Sequence, residues 1–273
     1  MGQVKEFYYK FMNEFRLYRR FVRVHLLSGV EYKGWWLTFL NVVVYIVVNP
    51  LVIGMMFNRF GNIGDWTLER ILLVYGLTCM SFSISKMLCN GFDYFPWYMV
   101  RNGDFDRVML RPKTLFTQVA ASAFNVQRLA NPVTSLIIII WAFNRLDISL
   151  TVQNFVMFIF AMTGGALIYA GVFIFCAAIS FFTINALNWI YIFTNASTEI
   201  TRIPVDHMPR LLRTLFMFVM PVLVVTYFPA SAIGGWGGSY WRGWLALPAG
   251  AAFFCGALIM WRIGVRHYKS TGS

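Results

Sequence analysis

The sequence predicts an all-α integral membrane protein, and three observations predict it. Mean hydropathy is +0.62 over 273 residues, of which 59% are hydrophobic and only 12% charged. Several apolar stretches reach the roughly 20 residues that a helix needs to cross a hydrocarbon core. Lys and Arg are gathered in three places: seven in Met1–Lys33, four in Gly91–Lys113 and three from Arg262 onward. One soluble core in a chain of this length cannot hide so much apolar surface, so lipid is its solvent. Short segments rich in Lys and Arg stay in the cytoplasm, whereas the stretches around Arg59, Arg145 and Arg242 hold one each. Both termini and the central polar stretch are therefore expected on the cytoplasmic side. The net charge of +12 is read as this orientation signal, and no nucleic-acid partner is expected.

The N-terminal arm, residues 1–33, holds many charges and no continuous apolar region, so no cleavable signal peptide is expected. Phe7, Phe11, Phe15, Tyr18, Val22 and Leu26 recur at spacings of three and four, one face of a helix. Lys5, Arg16, Arg20 and Arg23 flank that stripe, which suits an amphipathic helix lying in the headgroup layer; a soluble partner-binding helix shares the pattern.

Five segments offer enough apolar length to cross: Gly34–Phe57, Thr67–Phe92, Leu115–Phe143, Val152–Phe182 and Trp244–Ile263. Two more, Asn185–Pro204 and Leu211–Gly235, compete for one remaining crossing. Four spans return the chain to the cytoplasm near Phe182, and a cytoplasmic C-terminus requires an even number beyond that. Leu211–Gly235 is expected to dip in without crossing, because Pro221 and Pro229 break it and the glycines of "GGWGG" close it. Ten tryptophans fall near span ends, where an indole sits at headgroup level. Four scattered cysteines, Cys79, Cys89, Cys176 and Cys255, read as small buried hydrophobes, with no disulfide or zinc spacing.

Chemistry is sparse. No phosphate-cradling Gly-x-x-x-x-Gly-Lys-Ser/Thr occurs, nor a Gly-x-Ser-x-Gly elbow, and His25, His207 and His267 have no ligand spacing. No catalytic, cofactor or metal residue is expected in this chain. Asn188, Asn195, Glu199 and Arg202 form one polar stripe at spacings of seven, four and three. Polar groups at membrane depth face protein or water, so the stripe lines a pathway or holds a helix contact through amide hydrogen bonds.

The central stretch "GDFDRVMLRP" resembles the Gly-x-x-Asp … Leu-Arg-Pro signature of a bacterial family of ABC transporter permeases of the type-two exporter class, through Gly103, Asp106, Leu110, Arg111 and Pro112, with Gln118 following. "MPRLLRTLFMFVMPVLVVTYFPASAIGG" is similar to that family's Pro-x-x-Leu-Arg … Pro … Tyr-x-Pro-Ala run, through Pro209, Leu212, Arg213, Pro221, Tyr227, Pro229 and Ala230. The tail matches a closing Tyr-x-Ser-x-Gly through Tyr268, Ser270 and Gly272. Asp206 and His207 depart from it, standing where a Tyr-Pro pair is often seen.

The resemblance implies a single permease domain over 1–273: an interfacial helix in 1–33, six transmembrane helices, a cytoplasmic coupling loop at 92–113 and an extracellular re-entrant hairpin at 205–236. It also implies a second permease chain, identical or homologous, and two ABC ATPase subunits that bind ATP and Mg. The permease would sit in the bacterial plasma (inner) membrane, with the ATPase subunits on its cytoplasmic side. A chain without a nucleotide site can use ATP only through a partner's motion. Gly103, Asp104, Asp106, Arg107, Leu110, Arg111 and Pro112 would then form the lever, with Asp104 and Asp106 starting a short helix and Arg111–Pro112 ending it. Composition alone also allows a plain solvated loop there. An integral membrane enzyme acting on a lipid-linked substrate and an ion-coupled secondary transporter are the alternatives; the first needs a cluster of carboxylates or histidines, the second an internal repeat, and the sequence shows neither.

Overall fold

A computed structural model describes residues 12–24, 27, 35–124, 130–183 and 195–268. Among them the chain is helical, with one isolated two-residue bridge, Ile63 to Trp66. The helices are α1 (12–24), α2 (Trp35–Phe60), α3 (Leu68–Phe95), α4 (Asp104–Met109), α5 (Leu115–Ala121), α6 (Ala130–Arg145), α7 (Val152–Ile179), α8 (195–200), α9 (Arg210–Thr214), α10 (Val222–Gly234) and α11 (Ala246–His267). By length and composition, three described helices can cross a membrane: Leu68–Val100, Val152–Ile179 and Tyr240–His267. A fourth is added if the bent pair Arg210–Val219 and Val222–Gly234 counts as one span.

Helix α3 is the centre. Its residues Ile71–Thr78 are all buried, which one apolar stripe cannot explain; the helix is covered all round, as an internal helix must be. It packs against α6, α7, α5 and α10. Cys89, at φ −124° and ψ 21°, bends it, two residues before Gly91. A Cβ on Gly91 would collide with the Val119 carbonyl oxygen, so α5 lies directly on the backbone of α3. Helices α7 and α11 make a second close crossing. A Cβ on Gly164 would strike the Ala246 carbonyl and one on Gly250 would strike Gly164, the small-residue contact by which helices approach in lipid.

The bundle has two distinct ends. At one, Phe105 of α4 sits among Phe95, Phe181 and Tyr268, with ring centroids 5.1, 5.3 and 4.9 Å away. Helix α1 docks at this end: the Tyr18 hydroxyl donates to the Leu88 carbonyl at 2.9 Å and Thr114 donates to the Glu14 carboxylate. At the other end the Trp66 indole donates to Asp206 at 3.0 Å, Trp66 stacks on Tyr227 at 5.7 Å, and the Arg70 guanidinium lies 5.3 Å over Trp236.

Several expectations change. Leu115–Phe143 is not one continuous helix: α5 ends at Ala121, non-helical residues follow to Phe124, and α6 begins at Ala130 with Pro132 in its first turn. Pro221 stands at a 97° bend, because its ring fixes φ and it has no N–H to continue the ladder. Pro229, in contrast, sits inside a continuous α10, where neighbouring helices bury it and one lost bond is tolerated. Gly235, with φ 72°, ends α10 in the left-handed region that favours glycine. Trp66 and Trp261 are buried within the protein, and Cys255 is exposed. The stripe residue Phe15 of α1 is 53% exposed, while Phe7, Phe11 and Leu26 lie outside the described residues.

Candidate functional site

The polar stretch folds as the sequence predicts. Gly103 has φ 74° and precedes α4, whose first turn carries Asp104 and Asp106. Acidic groups are favoured at that end of a helix. Phe105 is fully buried and Val108 nearly so, and these two fix the short helix to the ends of α3, α7 and α11. The opposite face is open: Arg107, Arg111, Pro112 and Lys113 are exposed, and Leu110 is 86% exposed. Asp104 and Arg107 pair at 3.3 Å on that open face, a contact that contributes little. Buried Gln118 donates to the Lys113 carbonyl at 3.0 Å, tying the end of the stretch to α5. Burial, and then the neighbouring Asp106 carboxylate, push the Tyr268 hydroxyl above its usual pKa, so it stays neutral beside that acid.

The second arrangement is a polar pocket between α3, α6 and α8. It holds a cavity of about 80 Å³, open on one side. Three residues of the predicted stripe, Asn195, Glu199 and Arg202, line it; Asn188 lies outside the described residues. The Arg202 guanidinium donates to Glu199 at 2.8 Å and to the Asn49 side chain of α2 at 2.9 Å, and lies 5.2 Å over the Tyr75 ring. Ser197 of α8 donates to the Tyr169 hydroxyl of α7 at 3.3 Å, so the short helix is held on two sides.

Sequence reasoning missed three features. Phe105, the anchor of α4, carries a simple signal, since Phe105 and Val108 are the apolar i, i+3 pair of a polar helix. Asn131 lines the pocket from the first turn of α6. Lys86 and Asp93 form a buried ion pair within α3, with side chains 8% and 15% exposed. Lys86 also lies over Phe82 and Phe173, at 5.7 and 5.1 Å. Two opposite charges seven residues apart in an apolar helix share one face, and that spacing was the available signal.

The residues expected to form a hairpin fall in and around the bent pair α9–α10. Pro209 precedes α9, Arg213 sits in α9, Pro221 marks the bend, Tyr227 stacks on Trp66, and Pro229 is buried in α10. Ser270 and Gly272 of the tail are outside the described residues. No group of three His, Cys, Asp or Glu side chains able to hold a metal occurs among the described residues.

A family profile described as ABC-2 family transporter protein matches residues 43–272. No curated protein and no solved structure matches the chain. The matched range takes in the polar stretch with α4, the polar pocket and the bent pair, and a match over so much of the sequence means that this chain belongs to the ABC-2 family of transporter proteins, as a multi-pass membrane permease component of an ABC transporter.

Proposed function

We propose that this permease is the membrane half of an ATP-driven exporter in a bacterial plasma membrane, moving a hydrophobic or amphipathic substrate along the interface of two permease chains. Six helices cross, both termini are cytoplasmic, α1 lies in the inner headgroup layer, and the bent pair α9–α10 is an extracellular re-entrant hairpin. Two ATPase subunits bind ATP and Mg; this chain binds no cofactor and catalyses no reaction. Gly103, Asp104, Asp106, Arg107, Leu110, Arg111 and Pro112 receive the motion of the ATPase. Asn188, Asn195, Glu199 and Arg202 line the pathway or the permease contact.

One observation carries this reading: α4 offers an open face with Leu110 and three cations while Phe105 is locked to the ends of three long helices. A push on the open face therefore reaches α3, α7 and α11 through rigid aromatic contacts instead of being absorbed by a loose loop. An exposed leucine ringed by charge is also the composition of a docking surface. The hairpin reading is supported by the other end, where His207 lies beside Gly64 before the bend and Trp236 meets Arg70 after it.

Leu110→Asp and Arg111→Glu test the lever, because both side chains are exposed and their loss leaves the packing intact. Each is expected to lower ATP-coupled transport about tenfold, ~1.4 kcal/mol of coupling, with membrane insertion unchanged. Full transport in both variants would remove α4 from the mechanism.

A further inference from the structure

An apolar groove lies between α2, α3 and α6, beside the polar pocket. It holds a cavity of about 480 Å³, within the roughly 300–1,000 Å³ common to small-molecule sites. Leu51, Met55, Ile137 and Trp141 line it and are all exposed, so the groove opens sideways toward lipid. Gly54 lines it too, and a Cβ there would meet nothing within 4 Å. The α2 wall runs from Pro50 to Asn58, eight helical steps or about 12 Å. One leaflet's share of a hydrocarbon core of about 30 Å is about 15 Å, so the groove follows most of the depth that an acyl chain occupies.

A cation stands at the same end of two of its walls. Arg59 is one turn beyond Met55 on α2 and Arg145 is one turn beyond Trp141 on α6, so each lies on the face of its helix that lines the groove. The Arg145 guanidinium lies 5.8 Å over the Trp141 ring and that of Arg59 lies 5.9 Å over Phe60. A guanidinium stacked on a ring keeps the N–H groups of its edge for an anion. Both side chains are exposed, and among the described residues neither forms an ion pair. The nearest acids in sequence to this end of the groove, Glu69 beside Leu68 and Asp147 two residues past Arg145, pair with neither of them. Each arginine stands in the last turn of its helix, where the helix dipole favours a cation; the dipole does not account for an open groove running up to both.

We propose that this groove is a binding site for an anionic phospholipid, with one acyl chain in the groove and the phosphate at the end marked by Arg59 and Arg145. An apolar groove accepts the tail of any lipid. Guanidinium groups at its end favour a phosphate whose charge no tethered cation neutralises. A second copy of the chain suits the face less well, because a two-fold contact through it would bring the same cations together.

The test uses the full chain in nanodiscs of phosphatidylcholine containing a small fraction of either phosphatidylglycerol or phosphatidylcholine with a photoreactive diazirine in one acyl chain. Label is expected on residues 50–58, 68–72 or 137–141, about tenfold more from the phosphatidylglycerol probe than from the other, and free glycerol phosphate, a head without a tail, should not displace it. The double variant Arg59→Gln with Arg145→Gln should erase the preference, while Arg262→Gln, an exposed cation near the end of α11, should keep it. Gly54→Leu, which fills the open groove, should cut labelling by both probes about tenfold and carries the test if the double variant fails to fold. Equal labelling by the two lipids would overturn the anionic head, and displacement by glycerol phosphate would overturn the lipid. A preference kept in the double variant, or undiminished labelling in Gly54→Leu, would overturn the site. Cross-links joining two copies of the chain through residues 50–58 in place of lipid adducts would make a second copy the occupant and overturn the proposal.

Discussion

Lys86 and Asp93 pose a problem that has to be solved inside α3. Each is almost covered, and an unpaired charge at such a position is far more costly than a pair, because the partner's field and hydrogen bond are what offset desolvation. Lys86→Met should therefore destabilise the fold by about 3–5 kcal/mol, whereas the double variant Lys86→Met with Asp93→Leu should recover most of that loss. Thermal unfolding of the two in the same detergent checks it; equal loss in both would mean that the pair is not mutually stabilising. The same scale explains what could be read early. Asn195, Glu199 and Arg202 were legible because they recur at helical spacing in an otherwise apolar stretch, and the structure gathers all three at one pocket. Asn131 was not legible, since its meaning depends on where α6 begins and on what α3 and α8 bring to it. Asn49 pairs with Arg202 across 153 positions of sequence, a relation that no local pattern encodes.

Elements formed largely where local chemistry demanded. Helix α4 begins behind a left-handed glycine with two acids in its first turn and ends before Arg111–Pro112, all of which the ten residues Gly103–Pro112 announce. The bend at Pro221 was equally plain, while the continuity of α10 through Pro229 was not: whether a proline breaks a helix in lipid depends on the neighbours that cover the freed carbonyl. Helix α5 ends at Ala121, two residues after Val119 meets the backbone of Gly91. Close helix crossings are decided at this scale too. Gly250 of α11 meets the Gly164 backbone of α7 so closely that no side chain fits between them. Gly250→Leu should force the helices apart and cost about 1–3 kcal/mol, possible to offset only by backbone shifts, and should lower the yield of folded protein. Gly256→Leu, at a position with open space around it, is the matched control. Similar losses in both would argue against a tight α7–α11 crossing.

For the molecule as a whole, composition already specifies an all-helical membrane protein, and family membership agrees. What the sequence left open was which of two segments dips without crossing, because prolines and polar stripes oppose the basic-residue count there. In the structure α4, α1 and the end of α11 meet at one end of the bundle, and Trp66, Asp206 and Trp236 lie at the other. Transport by this account runs between those ends, with force entering at α4 and the hairpin closing the far side. The most direct test places single cysteines at Leu110, Asp206 and Trp236 in a background lacking the four native cysteines, and labels intact cells with an impermeant maleimide. Positions 206 and 236 should both react in intact cells and position 110 only after lysis; reaction at 110 in intact cells, or at 236 without 206, would contradict the account.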